Sequence, residues 1–99
     1  MITGPYPKGH WTRHTGYDAF KHLQPHLRYE VIREFKDFDD DVHPVGETWV
    51  WLGHNFLPYD GGYSFFVSVD GEHEWHIRMQ ESDQSEILDN LAAYIRAVP

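Results

Sequence analysis

The chain has no cysteine among its 99 residues, and that absence removes several chemistries at once. Disulfide staples, thiolate metal sites and cysteine nucleophiles are all excluded, and the usage suits a reducing compartment. Basic residues are scarce as well: eight Lys and Arg stand against sixteen Asp and Glu, a formal net charge of −8. Such a surface repels phosphate backbones, so nucleic acid is not expected as a partner. No apolar run approaches the roughly 18 residues that mark a membrane-spanning helix, so no membrane partner is expected either. The opening MITGPYPKGHWTRHTG lacks the apolar stretch of a signal peptide, and a soluble cytoplasmic protein is the expectation.

Aromatic residues, by contrast, are plentiful at 16% of the chain. Each buried ring removes roughly 150–250 Å² from water, a large contribution in a chain long enough for only one domain. Residues 1–16, with two Pro and three Gly and little periodicity, read as a flexible tail whose strongest docking candidate is Trp11. Residues 17–99 read as a single β-rich domain. Asp18 to Leu23 fits a short helical turn ended by Pro25.

Strand patterns follow at residues 28–35, 47–53, 63–69 and 73–79, with a polar loop over 36–46. In the first, Tyr29, Val31 and Phe35 share a face opposite Ile32. Trp49 and Trp51 share a face of the second. Tyr63, Phe65, Val67 and Val69 form the inner face of the third, leaving Ser64, Phe66 and Ser68 outside. In the fourth, Trp75, Ile77 and Met79 point inward and Glu74, His76 and Arg78 outward. Asp60-Gly61-Gly62 and Asp70-Gly71 supply the turns. At the end, Ile87, Leu88, Leu91, Tyr94, Ile95 and Val98 recur at helical spacing, and Asp83 with Glu86 fits a capping box, giving a helix over about 83–97. The expected fold is mainly β: a small four- to five-stranded antiparallel sheet, curled into an SH3-like barrel with the C-terminal amphipathic helix flanking it. An open sheet with the helix on one face is the alternative.

The phrases FKDFD, HPVGETW, FLPY and WHIR resemble the motifs F-x-D-[YF]-D, H-P-x-G-E-x-W, F-L-P-Y and W-x-I-R of a small family of uncharacterised bacterial domains. The resemblance covers residues 27–91. It implies a bacterial source and one shared domain, and it brings no activity with it. One departure stands out: the family pattern has Gly after the D-[YF]-D unit, where this chain has Asp40 and Asp41.

No catalytic signature is found. Asp37, Asp39 and Asp41 match the first positions of a calcium loop, but Val42 stands where that loop needs Gly and Thr48 where it needs Glu. These Asp side chains read better as caps on backbone donors in a turn. His10 and His14, His22 and His26, and His73 and His76 are spaced like ligand pairs, but Gly, Pro or strand geometry separates each pair. Ser64 lies outside any G-x-S-x-G frame. No cofactor or metal is expected.

The best recognition candidates are His43, Glu47, His54, Phe56, Tyr59, Phe66, His76 and Arg78. His43, Pro44, Glu47, His54 and Tyr59 would converge at one end of a barrel, although Glu47 and Arg78 also fit a plain ion pair. The expected function is a non-enzymatic module that binds a protein or peptide. The alternatives are an immunity or inhibitor protein against a basic bacterial toxin, and a metal-dependent enzyme or metal carrier using His and Asp. Nothing in the sequence sets the oligomeric state.

Overall fold

The computed structural model describes residues 2–99. Its elements are β1 (Thr3–Tyr6), α1 (Thr12–Thr15), β2 (Arg28–Val31), β3 (Phe35–Lys36), β4 (Val42–His43), β5 (Thr48–Leu57), β6 (Gly62–Ser68), β7 (Glu74–Gln80), α2 (Glu81–Asp89), α3 (Leu91–Tyr94) and β8 (Ile95–Ala97). Six strands form one antiparallel sheet in the order β1-β7-β6-β5-β2-β8, and β3 and β4 form a separate small hairpin. The first and last strands of that order do not pair, so the sheet is open and the expected closed barrel is not formed.

One face carries the core. Tyr29, Val31, Trp49, Trp51, Phe65, Val67, Ile77 and Met79 lie against Leu23, Phe35, Leu88, Leu91 and Tyr94. These are the inward residues that period-two alternation picks out. Trp49 and Trp51 have no exposed surface. Val69 departs from the pattern at 38% exposed, because β6 ends one residue before it.

Four expectations need correction. The C-terminal helix is not continuous: Asn90 leaves helical geometry at φ −126, ψ 36, and residues 95–97 are strand. The pairing of Val31 with Ile95 outweighs helical propensity there, since an Ile on a sheet edge buries its side chain while keeping its ladder bonds. At the other end the helix begins two residues before Asp83. Gln84 caps Gln80 N–H through Oε1 at 2.7 Å, in place of a capping box on Asp83.

The first strand stops at Val31, where Ile32 N–H donates to the Tyr94 carbonyl at 2.7 Å, and strand geometry resumes at Phe35. Around residues 18–23 there is no helical turn. Lys21 is left-handed at φ 54, and Phe20 and Leu23 exchange two backbone hydrogen bonds of 2.9 Å, which still turns Leu23 into the core. Finally, the segment read as a tail is packed: β1 pairs with β7, and residues 9–15 fold back over the sheet.

A register shift between Trp51 and Gly53 sets the geometry of the far end of the sheet. Strict alternation from Trp51 would turn Gly53, Asn55 and Leu57 inward. The bulge moves that phase by one residue, so His54 and Phe56 lie on the core side, opposite Phe65 and Tyr63. Gly53 suits the position, because a Cβ there would meet the Gly16 carbonyl at 3.0 Å.

Candidate functional site

The phrases FKDFD and HPVGETW meet in one buried cluster. His43 has no exposed surface, and its ring bridges two carboxylates: Nε2 to Asp37 Oδ2 at 2.7 Å and Nδ1 to Glu47 Oε2 at 2.6 Å. The Trp49 indole also donates to Glu47 Oε2, at 3.1 Å. Phe35 stacks on the imidazole with centroids 4.7 Å apart. Asp37 uses its other oxygen to cap the Asp39 and Asp41 N–H groups at 2.9 and 3.0 Å, the turn-capping role read from the sequence. Burial by itself pushes His43 down, but its bonds to Asp37 and Glu47 outweigh this and raise its pKa to about 9. The ring is therefore an imidazolium at neutral pH, with both nitrogens committed. His43 and Glu47 tie the β3–β4 hairpin to the start of β5, and neither ring nitrogen is free to meet a partner.

Phe66 and His76 point to the face opposite the core, as expected, but the N-terminal segment covers them. Trp11 stacks on Phe66 at 5.2 Å and lies 4.9 Å from the His76 ring, leaving Phe66 only 2% exposed. Glu74, also read as outward, is 2% exposed. It accepts hydrogen bonds from Gly9, Trp11 and Thr12 N–H and from the Thr12 hydroxyl, the last at 2.7 Å. Those four donors hold its carboxyl below the usual carboxylate range against the opposing effect of burial. Burial and the nearby Arg78 charge lower the pKa of His76.

The β5–β6 hairpin carries the exposed residues. Tyr59 is fully exposed, Leu57 is 53% exposed and Phe56 39%. The tip is held from below: Asp60 and Gly61 N–H donate to the Leu57 carbonyl, Gln80 Nε2 donates to the Asp60 carbonyl, and Glu81 N–H donates to the Gly61 carbonyl at 2.8 Å. Phe56 packs at a tilt on Tyr63 with centroids 4.6 Å apart, and Phe20 packs on Tyr63 and His54 behind it. Beside Tyr59 runs an open groove of about 550 Å³ whose walls include Asp60, Gln80 and Glu81. His54 bonds Asp18 through both its N–H and Nδ1.

Arg78 pairs with Asp39 at 3.1 Å and lies over the Phe38 ring, so the expected pair with Glu47 is not made. His43 and Glu47 do not meet His54 and Tyr59. His43 and Glu47 precede β5, whereas His54 lies within its second half and Tyr59 beyond its far end. Among the candidate site residues, sequence reading missed Leu57, Asp37 and Glu74. Trp11 was visible as a docking residue, but nothing in its surroundings named the face it covers. Among the described residues no group of three or more His, Asp or Glu side chains is arranged to hold a metal ion.

The family model described as "Domain of unknown function (DUF3601)" matches residues 14–98. The chain belongs to the DUF3601 family. Its fold is similar to that of an integron cassette protein from the mobile metagenome of Vibrio cholerae, with a TM-score of 0.77 and 29% identity. That alignment covers 82% of this chain and 91% of the Vibrio protein. No curated protein matches. The DUF3601 match begins after residue 13, so β1 and Trp11 lie ahead of the family domain while the His43 cluster and the hairpin tip lie within it.

Proposed function

We propose that this protein is a non-enzymatic binding module of a bacterial cytoplasm that grips a basic protein or peptide with its β5–β6 hairpin tip. The observation that carries this reading is the combination of Phe56, Leu57 and Tyr59 exposed on a braced tip with an acid-lined groove beside them. An exposed apolar cluster rimmed by polar groups marks an interaction surface. A tip already ordered by backbone bonds loses little entropy on binding. Recognition of a peptide through aromatics on a loop is a mode that small β-rich modules use. Asp60 and Glu81 select for Lys or Arg beside the apolar contact, and the overall charge of −8 speeds the encounter.

The same charge supports a narrower form of this reading, an inhibitor that captures a cationic toxin. The test is affinity capture from host lysate with wild-type protein and with a Leu57→Ala/Tyr59→Ala double variant, at low and at physiological salt. A partner retained by the wild type, weakened by salt and lost with the double variant is the expected result. Identical capture by both proteins would overturn the assignment to the tip.

A further inference from the structure

The outer face of β6 and β7 meets the N-terminal segment through contacts that recognise a peptide as such. β1 adds to the β7 edge by main-chain pairing, with Thr3 opposite His76 and Tyr6 opposite Glu74. The Glu74 carboxylate gathers three N–H groups of the turn that follows, from Gly9, Trp11 and Thr12. Trp11 then fills a shelf made by Phe66 and His76. Strand addition, a carboxylate clasp and an aromatic slot are a complete peptide-recognition set. None of the three depends on how the segment joins the rest of the chain.

The arm lies ahead of the domain it covers and touches the hydrophobic core cluster only at its rim, through the partly buried Ile2. The family domain starts at residue 14, and every fully buried residue of the hydrophobic core cluster lies at position 23 or later. The seam beneath the arm is imperfect. Trp11 Nε1 and His76 Nε2 are both buried there with no hydrogen-bond partner among the described residues. The joint that follows contains exposed Arg13, His14, Gly16 and Tyr17, with Gly16 at φ 71.

We propose that this face is a peptide-docking groove with residues 3–12 as its resident occupant, and that the same segment of a second copy enters it when the resident arm is released. The occupant is a second copy because the arm already displays each contact the groove makes, and every other copy of the chain carries it. Exchange of an identical element between copies is a low-cost route to a dimer. A tethered occupant enjoys an effective concentration of about millimolar, so the resident arm wins at micromolar protein. This site lies toward the opposite end of β6 from the hairpin tip and stands or falls independently of it.

The experiment uses the full chain and a fluorescent peptide of residues 2–16. Gly4→Ala loosens the resident arm, because a Cβ there would lie 2.5 Å from Trp75 Cδ1; Trp11→Ala loosens it by a second route. Both variants, checked for a cooperative melt, are expected to bind the peptide at least about tenfold more tightly than wild type. Adding Glu74→Ala to either variant abolishes that gain, and a peptide carrying Trp11→Ala does not bind. Sedimentation of the wild-type chain up to about millimolar shows a dimer growing in. Folded variants that take up the peptide no better than wild type would overturn the groove. Uptake without any dimer of the full chain would overturn the second copy as occupant.

Discussion

The indole of Trp11 lies nearly parallel to the ring of Phe66, 5.2 Å away and tilted by 21°, and this stack closes the face opposite the core. His76 sits beneath the same indole. The charges that act on it are Arg78 on its own strand and Asp37 and Asp39 from the acidic loop; the titratable groups Glu74 and His10 contact the same Trp11. Because burial and Arg78 lower the pKa of His76, its neutral form favours the docked state. The resulting stability is present above the ordinary value of 6.5 and is lost as pH falls below it. Protection factors of the Gly9, Trp11 and Thr12 amides, corrected for the intrinsic pH dependence of exchange, are expected to fall below about pH 6.5 while those of β5 and β6 hold, and His76→Phe should remove that dependence.

The His43 cluster titrates in the opposite direction. A pKa raised from 6.5 to about 9 means stability that is complete below pH 6.5 and lost as pH rises through about 9. The difference corresponds to about 3 kcal/mol. Denaturant unfolding between pH 6 and pH 10 is expected to show roughly this loss, with a much flatter profile for His43→Gln. Asp37→Ala at pH 7 should cost about 3–5 kcal/mol, because it strands a buried imidazolium.

Tyr59 and Phe66 should separate recognition from structure. Tyr59→Ala is expected to leave unfolding free energy within about 0.5 kcal/mol of wild type, since the side chain is fully exposed. Phe66→Ala should lose about 3–5 kcal/mol. If Tyr59→Ala proved as costly as Phe66→Ala, the tip would be structural and not a recognition surface.

Asp40 holds a left-handed backbone at φ 64, the conformation that Gly adopts most readily. Asp tolerates the left-handed region better than most residues but still pays for its Cβ. Asp40→Gly is expected to raise stability by up to about 1 kcal/mol in thermal melts, with the Asp37 caps on either side unchanged.

Much of this was legible in advance. The alternation of Tyr29 with Val31, Trp49 with Trp51 and Ile77 with Met79 named the core, because period-two burial leaves a plain mark on sequence. H-P-x-G-E-x-W was visible as a motif, but its meaning was not. His43, Glu47 and Trp49 close a network only after Asp37 arrives from a different loop. Phe66 and His76 were placed on the correct face, yet the arm that hides them comes from residues with no periodicity of their own. The strand at residues 95–97 was hidden because helical spacing continues through it, and only the partner strand β2 overrules that local pattern.

The bulge at Gly53 has a consequence for how this domain can diverge. By resetting the in-out pattern of β5, it uncouples residues 54–61 from the rhythm that fills the core with Trp49 and Trp51. A tip lengthened or shortened between Leu57 and Gly62 would leave the phase of Trp49 and Trp51 unaltered, so the finger can change while the palm keeps its shape.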